Sequence, residues 1–290
     1  MFLKLCKYEF KSIARTLLPI YLAVIAVSFI NMFMGIGSLT NGYYENIMRN
    51  ISFGQDILKL FQTVSMLAYF GVMVAMSVLT FIIIIQRFYK GLLCDEGYLM
   101  FTLPVKPWLL IAAKGTTALV MSLASSLAAG ISILILIVGA FGPVKFMAAV
   151  TSPEIWAKIF QIFNEVPSWP LLLVEFIVLI ILSGFSKLFH LYFSMALGHL
   201  ANKHRILMSV VAYIAISMIL SFASGFVMIV AGNVPFFQTL VDSIDFMPGL
   251  RGISTFMNYI FLFSIMISIV QIGVFFFGTE RILSEHLNLE

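Results

Sequence analysis

Charge is what this chain has least of. Only 10% of its 290 residues are charged, with 17 Lys and Arg against 13 Asp and Glu, while 61% are hydrophobic. So little charge cannot solvate the surface of a water-soluble domain of this length. Cysteine is nearly absent too. Cys6 and Cys94 both fall on the side assigned below to the cytoplasm, which excludes a disulfide framework and a cysteine-based metal site. The short motifs of chemistry are also missing. No Gly-x4-Gly-Lys-Ser/Thr loop occurs, nor even an adjacent Gly-Lys pair, so the chain is not its own P-loop ATPase. Without His-Glu-x-x-His, paired intramembrane aspartates or Gly-x-Ser-x-Gly, intramembrane hydrolysis has neither a metal site nor a nucleophile.

What the chain does have is length without charge. Uncharged runs cover residues 17–44, 60–86, 115–144, 206–241 and 252–279, and a sixth, 171–190, is interrupted only by Glu175 and Lys187. Each is long enough for the roughly 20 helical residues that cross a hydrocarbon core of about 30 Å. The expectation is an all-α polytopic membrane protein with six spanning helices, near 17–37, 62–85, 108–138, 171–196, 206–231 and 257–278.

Lys and Arg between the spans set the orientation, because basic residues resist translocation in short loops. One side receives Lys4, Lys7, Lys11, Arg15, Arg87, Lys90, Lys106, Lys203, Arg205 and Arg281. The other three connections are longer and hold only Arg49, Lys59, Lys145, Lys158 and Arg251. Both termini are therefore expected in the cytoplasm. The first apolar run is as long as a full span and no small-residue cleavage site ends it, so a cleaved signal peptide is not expected. The slight positive balance suits anionic lipid headgroups and gives no reason to invoke nucleic acid.

Residues 1–16 read as an amphipathic interfacial helix. Leu3, Cys6, Phe10, Ile13 and Leu17 recur at helical spacing beside a basic stripe of Lys4, Lys7, Lys11 and Arg15, and Pro19 allows a change of direction into the first span. On the opposite side, residues 153–163 form a short amphipathic piece, and Trp108, Trp156 and Trp169 fall near span boundaries as interfacial anchors. Residues 233–256 are apolar yet broken by Pro235, Asp242, Asp245, Pro248 and Gly249, which fits two short helices dipping into the outer leaflet.

Ser122, Ser126 and Gly130 in the third span, and Ser217, Ser221 and Gly225 in the fifth, repeat every fourth residue, a spacing that lets helices approach closely in lipid. Packing inside one subunit is the expected use. Among the few intramembrane polar groups, Lys187 and His190 are expected to anchor structure, and Glu175 is near enough to the outer end to reach headgroups. Asn31 and Gln271 are expected to bond across helices. His199, Lys203, His204 and Arg205 read as a positive-inside turn, since cationic neighbours disfavour a metal.

The stretch between the second and third spans is neither membrane nor filler. Pro104 ends a short helix and Pro107 opens the next span, Asp95 and Glu96 suit the short helix's N-terminal turn, and Tyr98, Leu99, Phe101 and Leu103 make a compact apolar surface. That surface can enter the inner leaflet or fill a groove in a soluble partner; composition leaves both open.

Phe88-Tyr89-Lys90, then the run from Asp95 to Val105, followed by Pro107-Trp108, resembles the segment after the second span in ABC-2 type transporter permeases of Gram-positive, especially clostridial, bacteria. Lys7-Tyr8-Glu9-Phe10-Lys11 leading into Leu17-Leu18-Pro19, and the six-span layout, are similar to that family as well. The resemblance implies a single transmembrane domain over residues 1–290 of a multi-pass protein of the bacterial cytoplasmic membrane. Within it, 1–16 would be an elbow helix with Lys4, Lys7, Phe10, Lys11 and Arg15 at the interface. Residues 87–106 would be a cytoplasmic coupling segment and 233–256 the short outer helices. It also implies that Asp95, Glu96, Gly97, Tyr98, Leu99, Met100, Phe101, Thr102 and Leu103 contact a separate nucleotide-binding ATPase subunit. That subunit would carry ATP and Mg, leaving no cofactor, metal or catalytic residue in this chain, and a second permease chain, by preference an identical one, would complete the pathway. The resemblance does not identify the cargo; export of a peptide, antimicrobial or amphipathic compound is the leading expectation. Two alternatives stand beside this: a non-transporting membrane partner that senses or recruits a cytoplasmic protein, and an intramembrane enzyme acting on lipid or peptide.

Overall fold

A computed structural model of the chain describes residues 2–39, 52–94, 97, 100, 105–166, 168–201, 203–233 and 250–285, which are almost entirely helical, with no strand among them. The helices are α1 (Phe2–Leu39), α2 (Ser52–Phe88), α3 (Pro107–Phe141), α4 (Pro143–Thr151), α5 (Pro153–Glu165), α6 (Trp169–His199), α7 (Arg205–Asn233) and α8 (Leu250–Glu285). A single π turn, Tyr89–Leu93, continues α2. Six helices, α1, α2, α3, α6, α7 and α8, are long and apolar enough to cross a membrane, and their positions match the six expected spans. The protein is a multi-pass, all-α membrane protein.

Two boundaries differ from the sequence-based expectation. No break separates an elbow helix from the first span: Phe2 to Leu39 is one helix with Pro19 inside it. At 1.5 Å per residue its 38 residues extend about 57 Å, well beyond the hydrocarbon core, which leaves room for the basic stripe outside it. Only part of the apolar stripe remains outward. Ile13 and Leu17 are buried against Met121, whereas Leu3 and Phe10 are exposed. At the other end, residues 250–256 of the expected outer helices belong to the start of α8, and 234–249 lie outside the described residues.

The helices form two compact units. One comprises residues 6–85 and 120–156; the other comprises 1–5, 86–119 and 157–290. The first unit is held by hydroxyls. Tyr21 and Ser125 share a hydrogen bond of 2.6 Å, and Thr80 meets Ser125 at 3.0 Å. A turn or two along, Ser132 lies 2.6 Å from the Ser28 hydroxyl and 2.8 Å from that of Tyr69. Asn31 donates to the Ser65 carbonyl of α2 at 3.3 Å, bonding across helices as expected. Val24, Met76 and Ala128 fill the space between these polar layers. At Gly139 the backbones come close, since a Cβ there would lie 2.7 Å from the Cα of Met32.

This arrangement corrects the reading of the small-residue stripes. The packed face of α3 carries Met121, Ser125, Ala128 and Ser132, all buried, whereas Ser126 and Gly130 are exposed and a Cβ on Gly130 would touch nothing within 4 Å. Ser221 and Gly225 of α7 are exposed as well. The physical reason is that a hydroxyl withdrawn from water and facing apolar surroundings needs a partner, and Ser125 and Ser132 find theirs on α1 and α2. Hydrogen bonding, more than residue size, sets the rotation of α3.

Beyond α3, α4 and α5 follow Gly142, whose φ of 82° is one that side-chain-bearing residues rarely adopt. The expected amphipathic helix is α5, and the Trp156 indole donates to the Val150 carbonyl at 2.6 Å, which orients α5 on the end of α4.

Ser132→Ala strands the Tyr69 hydroxyl and is expected to lower stability by about 1–2 kcal/mol, whereas Ser126→Ala should change it by less than about 0.5 kcal/mol. Unfolding of the two purified variants by denaturing detergent titration checks this contrast.

Candidate functional site

The second unit is built on α6, which packs against α7 and α8 and touches the π turn. α6 and α8 run in the same direction, as shown by pairs that advance together: Ser168 with Asn258, Phe176 with Phe261, Ser186 with Gln271 and Phe193 with Gly278. The Ser186 hydroxyl donates to Gln271 at 2.6 Å, the cross-helix role expected of that glutamine. α7 runs antiparallel to α6, and its start is tied there by Arg205, 3.4 Å from His199, and by Ser209 crossing closely at Gly198.

His190 sits within an aromatic stack. Its ring lies parallel to Tyr213 of α7 at 4.6 Å and to Phe275 of α8 at 5.0 Å, and Phe275 is followed by Phe193 at 5.7 Å. This is anchoring by ring faces, and Lys187 beside it is exposed. Glu175 departs from its expected role. It is only 6% exposed, because it precedes Ser186 by 11 residues, three full turns, and so shares the face that α6 turns toward α8. It does not reach outward to headgroups. Among the described residues, one carboxylate oxygen of Glu175 and Nε2 of His190 have no hydrogen-bond partner.

The most organised polar site lies where α2 ends. Lys114 of α3 is 5% exposed, and its ammonium donates to the Arg87 carbonyl at 3.1 Å. A cation withdrawn from water needs such oxygen partners, and a carbonyl at a helix C-terminus is a favourable one. The next residue, Phe88, is fully buried and stacks on Tyr192 of α6 with ring centroids 3.9 Å apart and planes 9° apart. The Tyr192 hydroxyl points back toward the Lys114 carbonyl at 3.4 Å, a long hydrogen bond. Phe189 supports the same tyrosine edge-on and closes over Gly115, where a Cβ would lie 2.8 Å from its ring.

The π turn then delivers Gly91, Leu92 and Leu93 into this nest, all buried. Gly91 has no side chain where one would collide with Lys114: a Cβ there would lie 2.6 Å from Nζ. On the far side Tyr89 meets His199 edge-on at 6.1 Å. Phe88, Tyr89 and Gly91 are thus met from α3 and α6, with Leu92 and Leu93 buried beside them and Lys90 exposed.

Of the expected ATPase contacts, Gly97 and Met100 are described. Gly97 is buried, its amide donating to the Cys94 carbonyl at 2.7 Å, and Met100 is half-buried. Asp95, Glu96, Tyr98, Leu99, Phe101, Thr102 and Leu103 lie outside the described residues. The expected interfacial residues Lys4, Lys7, Phe10, Lys11 and Arg15 are all exposed along α1. Among the described residues no cluster of His, Cys, Asp and Glu has the make-up of a metal site.

Lys114 is the residue that sequence reasoning passed over. Counting basic residues between spans ignores one placed seven positions beyond Pro107, about 10 Å into the helix. The available signal was the general one that an ionisable residue inside a span is a functional suspect. The grip on Phe88 has no local signal, since Tyr192 is more than a hundred residues away.

Tyr192→Ala removes the stacking partner of Phe88 and is expected to cost about 3–5 kcal/mol, whereas Tyr192→Phe keeps the stack, gives up a long hydrogen bond and should cost less than about 1 kcal/mol. Thermal unfolding of the purified variants in one detergent tests the ordering.

No protein-family model, curated protein or solved structure matches the chain.

Proposed function

We propose that this chain is the transmembrane permease subunit of an ATP-binding-cassette exporter. In this reading a separate nucleotide-binding subunit hydrolyses ATP with Mg, and residues 87–106 receive its movement. The observation that carries the reading is a connection anchored at both ends. Phe88, Leu92 and Leu93 are packed into the helices at the exit from α2. At the re-entry Pro107 opens α3, whose first turn buries Leu110 and Ile111. A segment that only rests in the leaflet needs no such attachment. One that transmits force must be tied to the spans it moves.

Six apolar helices suit a pathway-forming subunit, and the sequence of the 88–108 stretch resembles the coupling segment of ABC-2 permeases. The proposed setting is the bacterial cytoplasmic membrane with both termini in the cytoplasm, a second identical chain completing the pathway. Closure of the ATPase pair on ATP would push the 94–106 connections, and the spans would alternate in access. Cargo of peptide or amphipathic character suits an intramembrane route lined by apolar helices.

The test is purification from native membranes in mild detergent, mass spectrometry of what co-elutes, and an ATP-hydrolysis assay. A stoichiometric P-loop ATPase with turnover is the expected result; a chain recovered alone across several gentle detergents moves the reading to a sensor or recruitment partner. Leu99→Asp should leave membrane insertion intact and reduce ATPase recovery at least about tenfold, because it places a charge in an apolar contact. Equal recovery with parent and variant removes Leu99 from the contact.

A further inference from the structure

The π turn at the end of α2 carries one residue more than an α-helix would use over the same path, and such insertions concentrate at functional sites. Its consequence is rotational. One residue of an α-helix corresponds to about 100° of turn and 1.5 Å of rise, so relaxing the turn to α-helix with all its residues kept re-aims everything from Cys94 onward by about that amount. A π turn therefore needs something to hold it.

Lys114 meets that need from outside the helix. Its ammonium bonds to the Arg87 carbonyl, immediately before the turn, and it occupies the space that a side chain at Gly91 would require. It is buried, and its position is fixed from behind by Tyr192 and Phe189. Burying a cation is costly in hydrocarbon, and a Lys serving only as a membrane anchor would extend toward water instead. We propose that Lys114 is a positioning residue that locks the π turn at Tyr89–Leu93, and thereby fixes the rotational register in which the 94–106 connection leaves α2. The inference rests on the transporter reading only in naming that connection as the ATPase contact; the lock itself stands without it.

Cys94, half-buried directly after the turn, reports on the lock. The experiment uses the full chain in lipid nanodiscs, with Cys6→Ser so that one thiol remains, and measures the rate of maleimide reaction at Cys94 together with the unfolding midpoint. Lys114→Met is expected to raise the reaction rate on the order of tenfold, as loss of the charge-assisted hydrogen bond to the Arg87 carbonyl would. Gly91→Ala, which displaces the ammonium while keeping the charge, should do the same, and the double variant should react no faster than either single one. Deleting Lys90, an exposed residue of the turn, restores α-helical spacing while leaving Leu92 and Leu93 on their buried faces. In that shortened chain Lys114→Met should alter the rate by less than about twofold.

An unchanged rate in Lys114→Met, an additive double variant, or an equal effect of Lys114→Met in the full and shortened chains overturns the proposal. If the shortened chain does not fold, the double variant decides alone. ATPase recovery is scored separately on the parent chain, so its absence would sink the transporter reading while leaving the lock standing or falling on Cys94.

Discussion

The packing of the described residues depends mainly on one constraint, that a polar group held in hydrocarbon is stabilised by a partner within the protein, and single buried atoms of Glu175 and His190 are exceptions to it. Backbone groups meet it by forming helices, which is why the described residues are almost entirely helical. Side chains meet it by turning each helix until hydroxyls, amides and the ammonium of Lys114 face one another. Helix rotation in this chain follows from polar satisfaction, with apolar side chains filling what remains.

The two compact units meet the constraint differently. Residues 6–85 and 120–156 use hydroxyl pairs, with Tyr21, Ser125 and Thr80 in one layer and Ser28, Ser132 and Tyr69 in another. The α6-centred unit relies on rings: the stack through Tyr213, His190, Phe275 and Phe193, and the pair of Phe88 with Tyr192. Small hydroxyls allow close helix approach, whereas stacked rings span wider separations and give a side chain such as His190 a packed position without using its Nε2.

The functional reading grows from the second arrangement. A loop between two spans is ordinarily the least constrained part of a membrane protein, yet here its first residues are tightly held, with Phe88 and Leu92 fully buried and Lys114 drawn to the Arg87 carbonyl. Such a grip makes mechanical sense when the loop has work to transmit. A proposed ATPase acting on residues 94–106 would move helices α2 and α3 through Phe88, Leu93 and Pro107 with little slack. The exposed basic face of α1 suits anionic headgroups, and its continuity through Pro19 leaves that face directly joined to the first span.

The sequence by itself determined the class of the protein, the number of spans and their approximate limits. Transfer into lipid is close to a sum over residues, so long uncharged runs reveal spans without knowledge of the fold. The amphipathic helix α5 and the cross-helix roles of Asn31 and Gln271 were legible for similar reasons, since a lone amide in a span has few other uses. Only the tertiary structure decided which face of each helix is covered. Ser122 and Ser125 look equally small in the sequence, but it is Ser125 that meets the hydroxyls of Tyr21 and Thr80. In the same way, Glu175 is turned inward by the face that α8 covers, Pro19 is absorbed into one helix, and Lys114 gains its role from Arg87, Gly91 and Tyr192. The side-chain pairings among these span 23 to 104 positions of chain, and no local spacing encodes them.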